Sequence, residues 1–193
     1  MDNIVRVCAE ACRVAYDPCY PGYDVDDLRF TVGQSDGNTL IAFRGTADIG
    51  NVLEDLDIVP ETTPDGHLGH GGFVGAYHKL LPEVLSHISR DKRVVVTGHS
   101  LGGAIAVLFA ELLGCEVVTF GCPRIYLKTG TTPILNHIRV VRDGDPVPMI
   151  PRLFYKHDCE PVVLYDGSTG IEVKEHFIEG YIQSLERSET CRK

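Results

Sequence analysis

Gly98-His99-Ser100-Leu101-Gly102-Gly103 lies between an apolar, β-branched run, Arg93-Val94-Val95-Val96-Thr97, and a strong helix former, Ala104 to Leu113. A serine flanked by glycines at a strand-to-helix junction reads as a nucleophile elbow. Ser100 has to sit on a tight, strained turn for its hydroxyl to stand clear of the sheet. The positions two residues away on either side then come very close, which calls for glycine at 98 and 102. Gly103 lets the helix pack near the strand. The competing reading is a phosphate-cradling loop, but the stretch contains neither GxGxxG nor Gly-Lys-Ser/Thr.

Working outward, Asp2 to Tyr16 has the pattern of an amphipathic helix, broken by Asp17-Pro18-Cys19-Tyr20-Pro21-Gly22. Leu28 to Val32 and Thr39 to Phe43 read as strands joined by the Ser35-Asp36-Gly37-Asn38 turn. Ile49 to Leu56 has the spacing of a short helix. Pro60 to Gly72 reads as a loop, and Phe73 to Ser89 as a long helix with Pro82 a candidate kink. After the elbow, Glu116 to Phe120, Ile138 to Val141 and Val162 to Tyr165 are strand-like, and Glu175 to Arg187 forms a terminal helix. Strands alternating with helices predict an α/β-hydrolase fold, a mostly parallel central sheet with helices on both faces. The 193 residues lack a linker or repeat and are read as one domain, residues 1–193.

The formal net charge of −9 argues against nucleic acid as a partner and gives no pull towards anionic lipid. It leaves a neutral lipid interface open. The seven cysteines are odd in number and contain no CxxC pair, so no disulfide framework, zinc site or cofactor is expected. Cys8 and Cys12 share a helix face, and reduced thiols are the simplest reading. Met1 to Arg6 lacks a basic start and an apolar h-region, and no run reaches membrane-spanning length, so the expected compartment is the cytoplasm.

A serine hydroxyl needs a histidine base, and the histidine needs a carboxylate to fix its tautomer. In this fold they follow in the order Ser, Asp or Glu, His. Among the later histidines, His137 directly precedes a strand and His157 leaves no room for a return loop, so both read as structural. His176 follows the Asp166-Gly167-Ser168-Thr169-Gly170 loop and can swing over Ser100. Asp143, Asp145 and Asp158 compete for the carboxylate. Asp145 is preferred because it follows a strand at its carboxyl end and is stiffened by Pro146 and Pro148. Asp143, before Gly144, reads as a turn residue. His99 is expected to support the elbow. The oxyanion hole is expected from the backbone N–H groups of Leu101 and of Thr46, in the loop after an early strand. Arg44 is expected to pair with an acidic residue such as Asp55 or Asp57.

Together these residues resemble the class 3 lipase family, the fungal-type triacylglycerol lipases with their feruloyl esterase and plant acyl-lipase relatives. The resemblance rests on Ala42-Phe43-Arg44-Gly45-Thr46, Leu53-Glu54-Asp55-Leu56-Asp57, His70-Gly71-Gly72-Phe73 and Thr97 to Ala104. It continues through Thr119-Phe120-Gly121-Cys122-Pro123-Arg124, Gly144-Asp145-Pro146-Val147-Pro148 and His176. It implies the triad Ser100, Asp145 and His176, the oxyanion pair Thr46 and Leu101, and a structural His157. It further implies hydrolysis of a lipid or other acyl ester, with feruloyl-type hydrolysis, acyl transfer or an idle binding module as alternatives. Val52 stands near the place where the family carries tryptophan. Ile49, Val52, Leu53 and Leu56 share one helical face. In the family this region is a lid, while core packing is the other reading of the same face. Ile49, Val52, Leu53 and Val147 are the expected substrate-lining residues, and transient contact with a lipid interface is expected.

Overall fold

The structure is a computed structural model that describes residues 3–46, 59–89, 91–165, 167 and 170–190. The strand-like runs form one seven-stranded sheet. β1 (Tyr23–Val25), β2 (Leu28–Ser35) and β3 (Asn38–Phe43) form an antiparallel meander. From β3 onward the pairing is parallel, through β6 (Val94–His99), β7 (Glu116–Phe120), β9 (His137–Arg142) and β11 (Pro161–Leu164). The hairpin between β2 and β3 falls where the Ser-Asp-Gly-Asn turn predicts it.

Alternation along the central strands explains why both faces are covered. Ile41, Val96 and Val117 point into one apolar cluster, shared with α2 (Gly71–Ser86) and α3 (Leu101–Leu113). Their neighbours Leu40, Val95 and Val118 point into the other, shared with α1 (Asn3–Tyr16) and α4 (Ile178–Thr190). A strand with apolar side chains on both faces can only be a central strand sandwiched between helices. Cys8 and Cys12 lie on the buried face of α1, and all six described cysteines are free.

Two expectations are corrected. The Pro60 to Gly72 stretch is not a plain loop. β4 (Pro60–Thr62) and β5 (Leu68–His70) pair there and join β8 (Tyr126–Leu127) and β10 (Tyr155–Lys156) in a small four-stranded antiparallel sheet. Strands this short carry no readable alternation. The terminal helix does not begin at Glu175, because Val173–His176 is a 3-10 turn and α4 starts only at Ile178. The short helix expected over Ile49 to Leu56 lies outside the described residues.

Candidate active site

Ser100 is the cap residue between β6 and α3, with φ 58° and ψ −130°. Positive φ in a residue with a Cβ is strained, and the strain is held by close packing. A Cβ at position 98 would collide with the Gly102 carbonyl, and one at 102 with the Phe43 carbonyl. Both glycines are therefore required by contact, as the spacing predicts. The elbow is further pinned by the Ser100 N–H, which donates to the Phe120 carbonyl at 3.0 Å.

Asp145 and His176 come together behind this turn. Both are fully buried, and His176 Nδ1 lies 2.8 Å from Asp145 Oδ2 and 3.0 Å from Oδ1. The carboxylate is fixed by two further donors, the Val147 N–H at 2.9 Å and the Tyr181 hydroxyl at 2.5 Å. With Nδ1 engaged by a carboxylate, the proton-accepting position of the ring is Nε2. Among the described residues, His176 Nε2 and Ser100 Oγ are both buried and make no hydrogen bond. A Cβ on Gly121, the residue after Phe120, would stand 2.8 Å from His176 Cε1 and 2.9 Å from Asp145 Oδ2. Ser100, His176 and Asp145 thus all approach the Phe120-Gly121 bend.

His176 owes its position to Arg142 and Glu175. The buried Arg142 guanidinium donates to the Glu175 carbonyl at 2.8 Å, pairs with Glu175 Oε2 at 2.7 Å and reaches Ser184 Oγ at 3.1 Å. This clamp ties the 3-10 turn carrying His176 to the end of β9 and to α4.

His99 supports the elbow as expected, through a chain that sequence reasoning missed. Its Nε2 lies 2.6 Å from the His176 carbonyl, an acceptor only, so Nε2 carries the proton. Its Nδ1 then accepts from the Tyr16 hydroxyl at 2.8 Å, and that hydroxyl accepts from the Gly45 N–H at 3.1 Å. Burial and the neighbouring His176 hold the His99 ring well below the usual imidazole range, which keeps it neutral. The chain runs from the loop carrying Thr46, through the end of α1, to the backbone of His176. No local signal marks Tyr16, because its partners are distant in sequence.

The remaining expected residues divide as follows. Thr46 is half-buried and follows Gly45, where a Cβ would stand 2.8 Å from Ser100 Cβ, so the loop passes directly against Ser100. Leu101 opens α3, where N–H groups lack an intrahelical acceptor and the helix dipole favours negative charge. Val147, expected to line the substrate, is fully buried and holds Asp145 through its N–H. Ile49, Val52 and Leu53 lie outside the described residues, as do Asp55 and Asp57. Arg44 donates to the Asp27 carbonyl at 2.7 Å. His137 and His157 are structural. His137 bonds Asp158 at 2.7 Å and Thr119 at 2.8 Å, and His157 bonds the Pro148 carbonyl at 2.8 Å. His137, Asp158 and Cys159 approach within 4.8 Å of one another, but both His137 nitrogens are already engaged.

A strained serine elbow on a mostly parallel sheet, with a buried Asp–His pair behind it, defines an α/β-hydrolase. The family described as "Lipase (class 3)" matches residues 40–155. The chain belongs to the class 3 lipase family. It is 33% identical over 141 residues to a lipase of Rhizomucor miehei, a match covering 62% of this chain and 39% of that protein. It is 28% identical over 171 residues to secreted mono- and diacylglycerol lipase A of Penicillium cyclopium, covering 78% of this chain and 55% of that protein. The solved Rhizomucor miehei lipase propeptide complex superposes with a TM-score of 0.67 at 27% identity, over 86% of this chain and 67% of that one. The chain spans about half the length of the curated relatives it matches. Among the described residues, no helix is long and apolar enough to cross a membrane.

Proposed function

We propose that this chain is a serine hydrolase of lipid carboxylic esters, acting through an acyl-enzyme on Ser100. The observation that carries the reading is the buried Asp145–His176 pair at 2.8 Å together with the strained Ser100 elbow, His176 Nε2 and Ser100 Oγ both being buried and making no hydrogen bond among the described residues. In the reaction, His176 Nε2 takes the Ser100 proton as Oγ attacks the ester carbonyl. Asp145 keeps the proton on Nδ1 and stabilises the imidazolium that forms. The Leu101 and Thr46 N–H groups hold the oxyanion, each donor worth ~10²–10³ in rate. His176 returns the proton to the leaving alcohol, and then activates the water that releases the acid. Membership of a lipase family and likeness to a mono- and diacylglycerol lipase support an acylglycerol substrate. Free thiols at the six described cysteines support a reducing compartment, although the Penicillium relative is named as secreted.

The test is covalent labelling with a fluorophosphonate, alongside hydrolysis of p-nitrophenyl esters and an acylglycerol emulsion. The wild-type chain should label at Ser100 and turn over esters, and Ser100→Ala should do neither while keeping its melting temperature. Absence of labelling in folded wild-type protein would reduce the chain to a binding module.

A further inference from the structure

The loop that leaves the site after Asp145 carries an uncovered apolar tip. Leu153 is 76% exposed and Phe154 59% exposed, side by side. The backbone beneath them is anchored: the Lys128 N–H donates to the Phe154 carbonyl at 2.7 Å, and the Arg124 N–H to the Ile150 carbonyl at 2.7 Å. An apolar pair presented on an anchored loop is a contact feature rather than a stray side chain.

Around this tip the sign of the protein is reversed. The chain has a formal charge of −9, yet Arg124, Lys128, Arg152 and Lys156 gather here. Among the described residues three of them bond only main-chain carbonyls: Arg124 reaches Arg152 at 3.2 Å, Lys128 reaches Leu153 at 2.9 Å and Arg152 at 3.2 Å, and Lys156 reaches Gly130 at 2.7 Å. A carbonyl satisfies a donor without cancelling its charge, and among the described residues none of the four cations makes an ion pair. Burial, then Arg152 and Arg139, pull the Arg124 ionisation down. Arg124, Lys128 and Lys156 line a cavity of about 520 Å³ backed by the buried Arg139. Of its two carboxylates, Asp158 is engaged by His137 at 2.7 Å, and Glu160 is exposed at the rim.

We propose that Leu153 and Phe154, with the collar of Arg124, Lys128, Arg152 and Lys156, form a docking surface for an anionic lipid layer. The cations match the headgroup phosphates, the cavity has room for one of them, and the apolar pair enters the acyl region. A soluble phosphate ester would use the cations and leave the tip in water. The proposal rests on the lipid-ester reading for its purpose, but its test does not need catalysis.

The full-length Ser100→Ala chain is sedimented with vesicles of phosphatidylcholine alone, or with about one third phosphatidylglycerol. Anionic vesicles should bind several hundredfold more tightly, about fivefold for each of the four cations, with a preference that fades as salt rises. Each cation near an anionic surface is worth about fivefold, so Lys128→Gln with Arg152→Gln should weaken binding about 25-fold. Leu153→Ser with Phe154→Ser should weaken it by roughly tenfold or more. Lys92→Gln with Arg93→Gln removes the same charge just before β6, outside the residues of the collar and its cavity, and should leave binding within about twofold. Melting temperatures of all variants are compared, so that unfolding is not mistaken for lost contact. Equal binding to both vesicle types, or an equal loss from the Lys92/Arg93 pair, overturns the proposal. So does calorimetric binding of inorganic phosphate without vesicle binding, which would make the cavity a soluble-anion site. If the wild-type chain cleaves no ester while Ser100→Ala still docks on anionic vesicles, the hydrolase reading fails and the docking surface stands.

Discussion

Replacing Tyr16 by phenylalanine removes one oxygen and leaves the shape of the ring. That oxygen donates to His99 Nδ1 at 2.8 Å and accepts from the Gly45 N–H at 3.1 Å. His99 and Gly45 are both buried, so water cannot easily replace it. A buried polar group left unpaired costs about 1–3 kcal/mol, which gives roughly 2–6 kcal/mol for the two. For a chain of this length each kcal/mol lowers the melting temperature by about 2–4 °C, so Tyr16→Phe should melt roughly 4–24 °C lower. The catalytic effect follows from the same geometry. Gly45 precedes Thr46, and the other end of the chain holds the His176 backbone through His99 at 2.6 Å. Complete loss of an oxyanion donor costs ~10²–10³, and a loosened donor should cost about tenfold in kcat with KM within a factor of two. Calorimetry and steady-state hydrolysis of a soluble ester measure both. A Tyr16→Phe protein that melts within about 2 °C of wild type and keeps kcat within about twofold would refute the reasoning.

Three other perturbations test the clamps around the site. Gly121→Ala places a Cβ 2.8 Å from His176 Cε1 at a backbone φ of +58°, so kcat should fall by about tenfold to a hundredfold with only a modest loss of stability; unchanged kcat would mean the base has slack. Arg142→Gln leaves the buried Glu175 carboxylate unpaired and should cost about 3–5 kcal/mol in urea unfolding, with Glu175→Gln in the same chain restoring much of it; a loss that the second substitution does not touch would contradict the ion-pair account. Burial, then Arg139, lowers His157 from 6.5 to about 4, so between those pH values the unfolded chain binds a proton that the folded chain does not. Stability therefore falls as the pH drops through this window, by about 3 kcal/mol from this one group, and His157→Gln should lose that much less between pH 7 and 4. An identical acid loss in the variant would assign the effect to other groups.

The local features of the fold were open to reading because their causes are local. The elbow is a matter of spacing: the glycines at 98 and 102 are needed wherever a serine turns from strand into helix, and the collisions with Gly102 and Phe43 backbone bear this out. The mixed sheet follows from apolar runs separated by helical ones. Asp145 and His176 followed from chain order, and the structure joins them at 2.8 Å. Less was legible where elements are short or shared. β4, β5, β8 and β10 have two or three residues each, too few to show a period. The 3-10 turn at Val173–His176 was absorbed into the helix after it.

The sequence alone pointed to Ser100 as the candidate nucleophile, to the order of its candidate partners and to the sheet that carries them, since each is written in neighbouring residues or in succession along the chain. Folding supplied the groups that hold them still. Tyr16 meets His99 across 83 positions, and Tyr181 meets Asp145 across 36. Charge behaves in the same way. A total of −9 speaks against anionic partners, and only the folded chain brings Arg124, Lys128, Arg152 and Lys156 around two exposed apolar side chains. A sum carries no positions, whereas attraction to a surface depends on which charges face it within a Debye length of about 8–10 Å.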